Sequence, residues 1–193
     1  MSICMNIAIS IYLHMMIPIL VLIACNPTET EPYSPSSLYH DPVDSAFKVI
    51  ENLEYSYVSR DIGHYLNCFR SDFAFYYISN GDTLNWDFDT EMNIHYPSMF
   101  WNVNMIELTF SGAEEYPWSG DTTGSTLVLP REYDLKVSLP DSVEYRALGT
   151  AHFICRQDSM GEWYVWQWWD YPDPGKDGWS DIKLLFMTPP STH

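Results

Sequence analysis

Three side chains in this sequence combine a chemical type that can move a proton with a position beside apolar residues: Asp170, His95 and Tyr76. Asp170 closes the aromatic segment 163–169, and burial among such neighbours would raise the pKa of its carboxyl group. A general base of this kind works with a donor that stabilises an oxyanion, and the Tyr76 hydroxyl is a candidate. The set predicts proton transfer on a carbonyl-containing small molecule.

Each of these residues also has a purely structural interpretation. Asp170 opens the turn-forming sequence 170–175, so its carboxylate can be exposed or can cap a neighbour. His95 can be a surface or a hydrogen-bonded core residue, and Tyr76 is one of 14 tyrosines. His152 falls on the exposed side of its strand by alternation. The sequence has no nucleophile elbow, phosphate-binding loop, dinucleotide glycine motif or metal-ligand spacing, so no metal and no cofactor is expected.

Length and charge narrow the classes of function. The chain has 193 residues and a formal net charge of −17, from 9 Lys and Arg against 26 Asp and Glu. Its hydrophobic content of 46%, with 16% aromatic residues, excludes a disordered chain and indicates one globular domain. The acidic balance argues against binding nucleic acid or anionic lipid headgroups, because both are recognised mainly through Lys and Arg.

The first 24 residues contain no Lys, Arg, Asp or Glu, and residues 7–24 form one apolar run. Such a run, ending in small residues, is typical of an export signal. Its end, Leu22-Ile23-Ala24-Cys25, resembles a bacterial lipobox, which implies cleavage before Cys25 and a lipid on its thiol. An exported protein anchored in the bacterial cell envelope is therefore expected. An uncleaved membrane helix is the alternative, since 18 to 20 apolar residues suffice to span a bilayer.

The remaining chain divides into three parts. Residues 25–40 are rich in proline and polar residues and predict an extended linker, residues 41–187 a single domain, and residues 188–193 a tail. Cys68 and Cys155 lie in apolar surroundings, which favours two buried thiols, although an exported domain could also bridge them.

Periodicity predicts helices first and strands afterwards. One helix starts at Asp41 and Pro42 and runs to Tyr57, a second short one is capped by Asp61, and a third spans about 89–101 with a bend at Pro97. Alternating segments then predict long strands. In the strand 143–156, Gly149 suggests a bulge or a bend. Residues 181–187 fit an edge strand or a short helix, and the order as a whole predicts an α+β fold.

Two passages carry a family resemblance. In residues 60–75 an acidic residue opens a short helix with aromatics at Tyr65 and Phe69, and Asp-Phe-Ala-Phe then leads into a strand. Residues 163–170 read Trp-Tyr-Val-Trp-Gln-Trp-Trp-Asp. Both are similar to passages of the NTF2-like superfamily, which includes SnoaL-like and ketosteroid-isomerase-like proteins. The resemblance covers residues 41–187 and implies helices packed on a strongly curved antiparallel sheet, a cone with an apolar pocket at its wide end.

The resemblance extends the candidate site to aromatic residues. Alternation along the last strand predicts that Trp163 and Trp169 build the core and that the opposite face is free. The ligand pocket is expected to be lined by Tyr76, Trp101, Tyr164, Trp166 and Trp168.

Three functions follow from these observations. The absence of a complete catalytic set favours a membrane-anchored lipoprotein that binds a small apolar ligand or a protein partner without catalysis. The first alternative is a ketosteroid-isomerase-like or SnoaL-like enzyme with Asp170 or His95 as general base. The second is a structural envelope protein that forms a homodimer through the aromatic face of its sheet.

Overall fold

The structure is a computed structural model and describes residues 38–187. Five α-helices and seven strands make up this part of the chain, together with a π-helical turn at His95–Met99. In order they are α1 (Ala46–Ser59), α2 (Ile62–Asn67), β1 (Phe69–Ser79), β2 (Asp82–Asp87), α3 (Phe88–Ile94), α4 (Phe100–Asn102), β3 (Met105–Ser111), β4 (Tyr116–Pro117), β5 (Thr126–Ser138), β6 (Glu144–Gln157), β7 (Trp163–Pro172) and α5 (Trp179–Met187).

The strands form one curved sheet in the order β2-β1-β7-β6-β5-β3, with β4 paired to β5. Strands β1 and β7 are parallel, whereas all other pairs are antiparallel. The sheet is therefore mixed rather than purely antiparallel as predicted. The helices pack on one face of it, α1 against β3, β5 and β7, and α5 against β6 and β7. We call this the inner face, and the α+β prediction is confirmed.

Side-chain caps explain where the helices begin. The first helix starts at Ala46 rather than at Asp41, because the Ser45 hydroxyl accepts the backbone N–H of Lys48. Asp61 caps α2 as predicted, with its carboxylate accepting the N–H of His64 at 3.1 Å. Asp87 caps α3 in the same way. The third helical segment runs from Phe88 to Asn102 in three parts, joined by a π-helical turn over residues 95–99 that contains Pro97.

Residues 181–187, for which a strand or a helix was open, belong to a helix. Helix α5 begins at Trp179, and the Asp181 carboxylate accepts the N–H of Gly178 at 2.7 Å just before it. The apolar side chains of Trp179 and Ile182 are buried in the core. Their three-residue spacing is helical, which decides between the two predictions.

A bulge in β7 changes which tryptophan enters the core. Val165 pairs with Cys155 and Gln167 with Ile154, so Trp166 is an extra, unpaired residue. Beyond it the alternation is inverted, and Trp168 is completely buried while Trp169 lies on the outer face. The predicted core position of Trp169 is therefore wrong. Trp163 and Val165, which precede the bulge, are buried as predicted.

Gly149 does not form the predicted bulge. The pairing of β6 with β5 runs through Gly149 without a break, opposite Tyr133. A Cβ atom at this position would lie 2.7 Å from the Tyr133 hydroxyl and would overlap the Tyr171 carbonyl oxygen. Glycine is needed here because two neighbouring strands approach its α-carbon closely.

Cys68 and Cys155 are both free thiols and both buried, in line with the favoured prediction. Burial raises the pKa of each thiol well above its ordinary value. Within residues 38–187, no helix has the length and apolar character that a membrane span requires. Cys25, the leader 1–24 and most of the linker lie outside the described residues.

Candidate functional site

The inner face of the sheet surrounds a buried ion pair between Glu91 of α3 and Lys183 of α5. Neither side chain has any exposed surface, and Lys183 Nζ lies 2.8 Å from Glu91 Oε1. The same carboxylate accepts hydrogen bonds from the Trp86 indole N–H, at 2.5 Å, and from the Tyr65 hydroxyl. Glu91 is thus held by three donors from β2, α2 and α5.

The pKa values of this pair keep both groups charged at pH 7. Burial is the largest influence and would raise the pKa of Glu91, but the charge of Lys183, the neighbouring His95 and the hydrogen bonds from Lys183 and Tyr65 together lower that pKa to about 2. Burial lowers the pKa of the Lys183 ammonium to about 8, and attraction to Glu91 limits the fall. Lys183 Nζ also lies 3.9 and 3.8 Å from the ring centres of Phe75 and Trp168. These rings stabilise the ammonium through cation–π attraction.

His95 lies beside the ion pair and is also completely buried. Its Nδ1 is 3.0 Å from the backbone oxygen and 3.2 Å from the carboxylate of Glu91, so Nδ1 carries the proton. Nε2 is 3.3 Å from the Tyr57 hydroxyl, which accepts the indole N–H of Trp179 at 2.8 Å. Burial lowers the pKa of His95 to about 4, and the imidazole is neutral at pH 7.

Asp170 forms a second buried group in the interior. Its carboxylate accepts the Tyr133 hydroxyl at 2.6 Å and the backbone N–H of Ser180 at 2.7 Å. Burial raises the pKa of this carboxyl group, and the two hydrogen bonds partly offset the rise. Gly178 passes so close that a Cβ there would lie 2.8 Å from Asp170 Oδ2. Asp170 is therefore buried, so the alternative of an exposed turn residue is wrong. The alternative that it caps a neighbour fits, because its carboxylate accepts the N–H of Ser180 in the first turn of α5.

The interior contains acid–base groups, but protein atoms occupy the place where a substrate would contact them. Trp179 is completely buried, with its ring edge-on to Trp168 at 4.5 Å and to Tyr57 at 4.9 Å. Together with Lys183 it brings α5 into the middle of the cone. Side chains of α5 therefore occupy the interior, where the family resemblance implied an apolar pocket.

The structure separates the five predicted pocket residues. Trp168 is in the core, and Trp101 lies on α4 with 72% of its surface exposed. The guanidinium groups of Arg70 and Arg156 lie over the rings of Tyr164 and Trp166, respectively. The fifth residue, Tyr76, lies on the outer face and stacks on Trp169 with ring centres 4.2 Å apart. A common pocket of these residues is not present in residues 38–187, because the bulge at Trp166 and the burial of Trp168 divide them between faces.

The sequence analysis missed Glu91 and Lys183, which hold the centre of the interior. Glu91 is one of 26 acidic residues, and its type alone predicts exposure. A usable signal was the spacing of Glu91 and His95, which stand four residues apart on a helix and therefore share a face.

A cleft with a volume of about 310 Å³ lies on the outer face of the sheet, away from the helices. Tyr116 of β4 and Trp118 just after it form one wall, and Trp169 and Tyr171 of β7 form the other. His152 of β6 lies between the walls, on the outer side that alternation predicted and only partly exposed. We call this the outer aromatic cleft.

A larger and more polar cleft, of about 530 Å³, lies beside α1 and α2. Its histidines are engaged by carboxylates, His40 with Glu51 at 2.7 Å and His64 with Asp61 at 2.7 Å. The ring of Tyr39 also stacks on His64 at 3.6 Å. The polar groups of this cleft therefore hold the start of the domain against the helices.

Solved structures with this architecture are known, although no protein-family model and no curated protein matches the sequence. A conserved protein from Planctomyces limnophilus is similar with a TM-score of 0.54 at 16% identity, covering 65% of this chain and 92% of that one. A Salmonella enterica protein of the NTF2-like superfamily has a TM-score of 0.51 at 10% identity, with coverage of 72% and 92%. This domain has the NTF2-like fold.

A ketosteroid isomerase-like protein from Erwinia carotovora shares the NTF2-like fold, with a TM-score of 0.51 at 11% identity and coverage of 68% and 95%. At such low identity the likeness shows the fold and carries no active-site residue across. The predicted NTF2-like architecture is confirmed.

Proposed function

We propose that this chain is a non-catalytic binding protein, held at a membrane of the bacterial cell envelope by a lipid on Cys25. Its NTF2-like domain binds a small ligand or a partner on the outside of the cone. The observation that carries the proposal is the filled interior. Glu91, His95 and Lys183 have no exposed surface, and every one of them has a protein partner.

The hydrogen bonding of the interior supports a structural role for its ionisable groups. Among the buried polar atoms of the side chains that the structure describes, only Trp168 Nε1 lacks a hydrogen-bond partner. A site prepared for substrate usually keeps donors directed at an empty space. The outer aromatic cleft, in contrast, presents aromatic side chains around free volume.

Acid–base catalysis remains the second candidate, because perturbed ionisable groups cluster at functional sites. His95, Lys183 and Asp170 have pKa values displaced by burial and lie within one interior. For this candidate α5 has to move, since Trp179 and Lys183 occupy the space in which a substrate would bind.

One experiment separates the two candidates. The full chain is extracted from host membranes in a mild non-ionic detergent and examined by native mass spectrometry for a retained small molecule. We expect an adduct that Trp118→Leu abolishes and His95→Gln retains. The opposite pattern would contradict the proposal and place the ligand in the interior. A dimer without an adduct would instead favour the sheet face as an interface between copies.

The anchor is tested in living host cells with a clickable fatty acid. We expect Cys25→Ser to abolish labelling and leave a precursor of higher apparent mass. Cys4→Ser, in the leader, is the matched control and should be labelled like the wild type. Equal labelling of the Cys25→Ser variant would show that the anchor is wrongly placed.

A further inference from the structure

We infer that the outer aromatic cleft binds a small soluble organic cation whose charged head is a methylated ammonium group. The inference deepens the proposed binding function and rests on it. It follows from three properties of the cleft: the orientation of its aromatic rings, the rigidity of its walls, and the charge around it.

Four Trp and Tyr rings line the cleft, from residues 116, 118, 169 and 171. Trp169 and Tyr171 are parallel to within 11°, with ring centres 6.5 Å apart. Tyr76 stacks on Trp169 and fixes its plane. Tyr116, 44% exposed, and Trp118 bring two more rings from the opposite wall. A cation within about 6 Å of such a ring centre is attracted by the negative face of the π system.

The wall that carries Tyr116 and Trp118 is fastened to the sheet. Tyr116 pairs with Val128 of β5, and the backbone N–H of Trp118 donates to the backbone oxygen of Thr126 at 3.1 Å. The Asp121 carboxylate closes the following turn by accepting the N–H of Thr123 at 2.7 Å. The cleft is therefore formed before a ligand arrives, which lowers the entropic cost of binding.

The charge around the cleft favours a cation. Among the described residues that line it, none is Lys or Arg. Burial lowers the pKa of His152, so this imidazole is neutral at pH 7. The chain as a whole carries a net charge of −17. Such a field raises the local concentration of cations and repels anions.

Among the described residues, four side-chain cations already lie over aromatic rings: Arg70, Arg131, Arg156 and Lys183. The Arg156 guanidinium lies 3.6 Å from the ring centre of Trp166 on the same outer face, with the Asp72 carboxylate 3.7 Å away. Lys183 is held between Phe75 and Trp168 inside the cone. The outer aromatic cleft also has several aromatic rings around one space, but none of its described lining residues is Lys or Arg. A methylated ammonium fits there because quaternary ammonium groups are the ligands that aromatic cages recognise.

The test compares choline with 3,3-dimethylbutan-1-ol, its uncharged analogue of the same shape. The full chain, in non-ionic micelles, carries ¹⁵N in its tryptophan indoles, and each ligand is titrated while the indole signals are followed. We expect choline to shift the signals of Trp118 and Trp169 and to bind about tenfold more tightly than the alcohol. The Trp101 signal should remain in place.

Two variants test whether choline binds in the outer aromatic cleft. Trp118→Leu should weaken choline binding about tenfold, whereas Trp101→Leu, on α4, should leave it unchanged. If the alcohol binds as tightly as choline, the cation inference is wrong while the proposed binding function stands. If choline moves neither the Trp118 nor the Trp169 signal, the inference is also wrong, and the adduct experiment decides the proposed function separately.

Discussion

Glu91 and Lys183 carry opposite charges in a place where neither contacts water. Removing two charges from water costs several kcal/mol for each ion, and attraction repays this only when the remaining hydrogen bonds are satisfied. Here Trp86 and Tyr65 donate to the carboxylate, and two aromatic rings face the ammonium. The pair is therefore stable as a unit, and each member depends on the other.

We expect Lys183→Met to lower the free energy of unfolding by about 3–5 kcal/mol, because Glu91 is left as an uncompensated buried charge. The double variant Lys183→Met with Glu91→Gln removes both charges and should recover part of this loss. Urea denaturation measures the free energy of unfolding of the wild type, the single variant and the double variant. Lys48→Met, which breaks only the exposed pair with Asp44, is the control and should change the free energy of unfolding little, because solvent screens that pair. A Lys183→Met protein as stable as this control would contradict the role of the pair.

At the residue scale the sequence predicted part of the interior. Asp170 and His95 were selected by type and by their apolar neighbours, and both lie in the core. Lys183 could not be predicted, because it is 92 residues away from Glu91 in the chain and its pairing depends on the completed fold. Whether any of these residues acts on a substrate stays a prediction.

At the scale of elements, strand β7 shows the limit of alternation as a guide. The period of two predicted Trp163 and Val165 correctly, because they precede the bulge. One extra residue, Trp166, then reverses every later position, so that Trp168 enters the core in place of Trp169. The position of a bulge depends on the partner strand, and a single strand's sequence does not contain it.

Helix boundaries follow a similar rule. The sequence 41–45 offers two caps, Asp41 and Ser45, and local preference alone does not choose between them. The structure places Asn52 of α1 against the backbone of His40, with hydrogen bonds of 2.8 and 3.0 Å. These contacts hold residue 40 beside the helix, and the helix begins at Ala46, after the Ser45 cap.

Strand packing around Gly149 leads to a second prediction. In Gly149→Ala the new methyl group would lie 2.7 Å from the Tyr133 hydroxyl, which donates to Asp170. We expect a loss of about 2–3 kcal/mol, as for other overpacked sites, measured as a fall in the midpoint of thermal unfolding. The control is Gly63→Ala in helix α2, where the nearest atom would lie 3.5 Å from the new methyl group. This variant should be neutral or slightly stabilising. Equal midpoints for the two variants would be inconsistent with close packing at Gly149.

At the scale of the whole molecule, the buried imidazole governs stability in mild acid. The pKa of His95 is about 4 in the folded protein and about 6.5 in the unfolded chain. Between these values the unfolded chain binds a proton that the folded protein does not, so the free energy of unfolding falls as the pH falls. Glu91 has a lowered pKa of about 2 and adds a further loss below pH 4.5.

We therefore expect the free energy of unfolding to fall by on the order of 3 kcal/mol between pH 6.5 and pH 4. Urea denaturation at half-unit steps of pH measures the slope. His95→Gln should flatten the slope above pH 4.5, whatever its effect on absolute stability. A variant with the wild-type slope would assign the acid sensitivity to other groups.

Helix α5 also sets the order of events during synthesis. It follows all seven strands in the chain, yet Trp179 and Lys183 occupy the centre of the domain that those strands surround. Until the ribosome has released this helix, Glu91 lacks its cation and the core lacks Trp179. Long-range contacts of this kind form late and slowly. The domain consequently completes its fold after translation has passed residue 187, and a nascent chain stopped before α5 should remain open to chaperones and proteases.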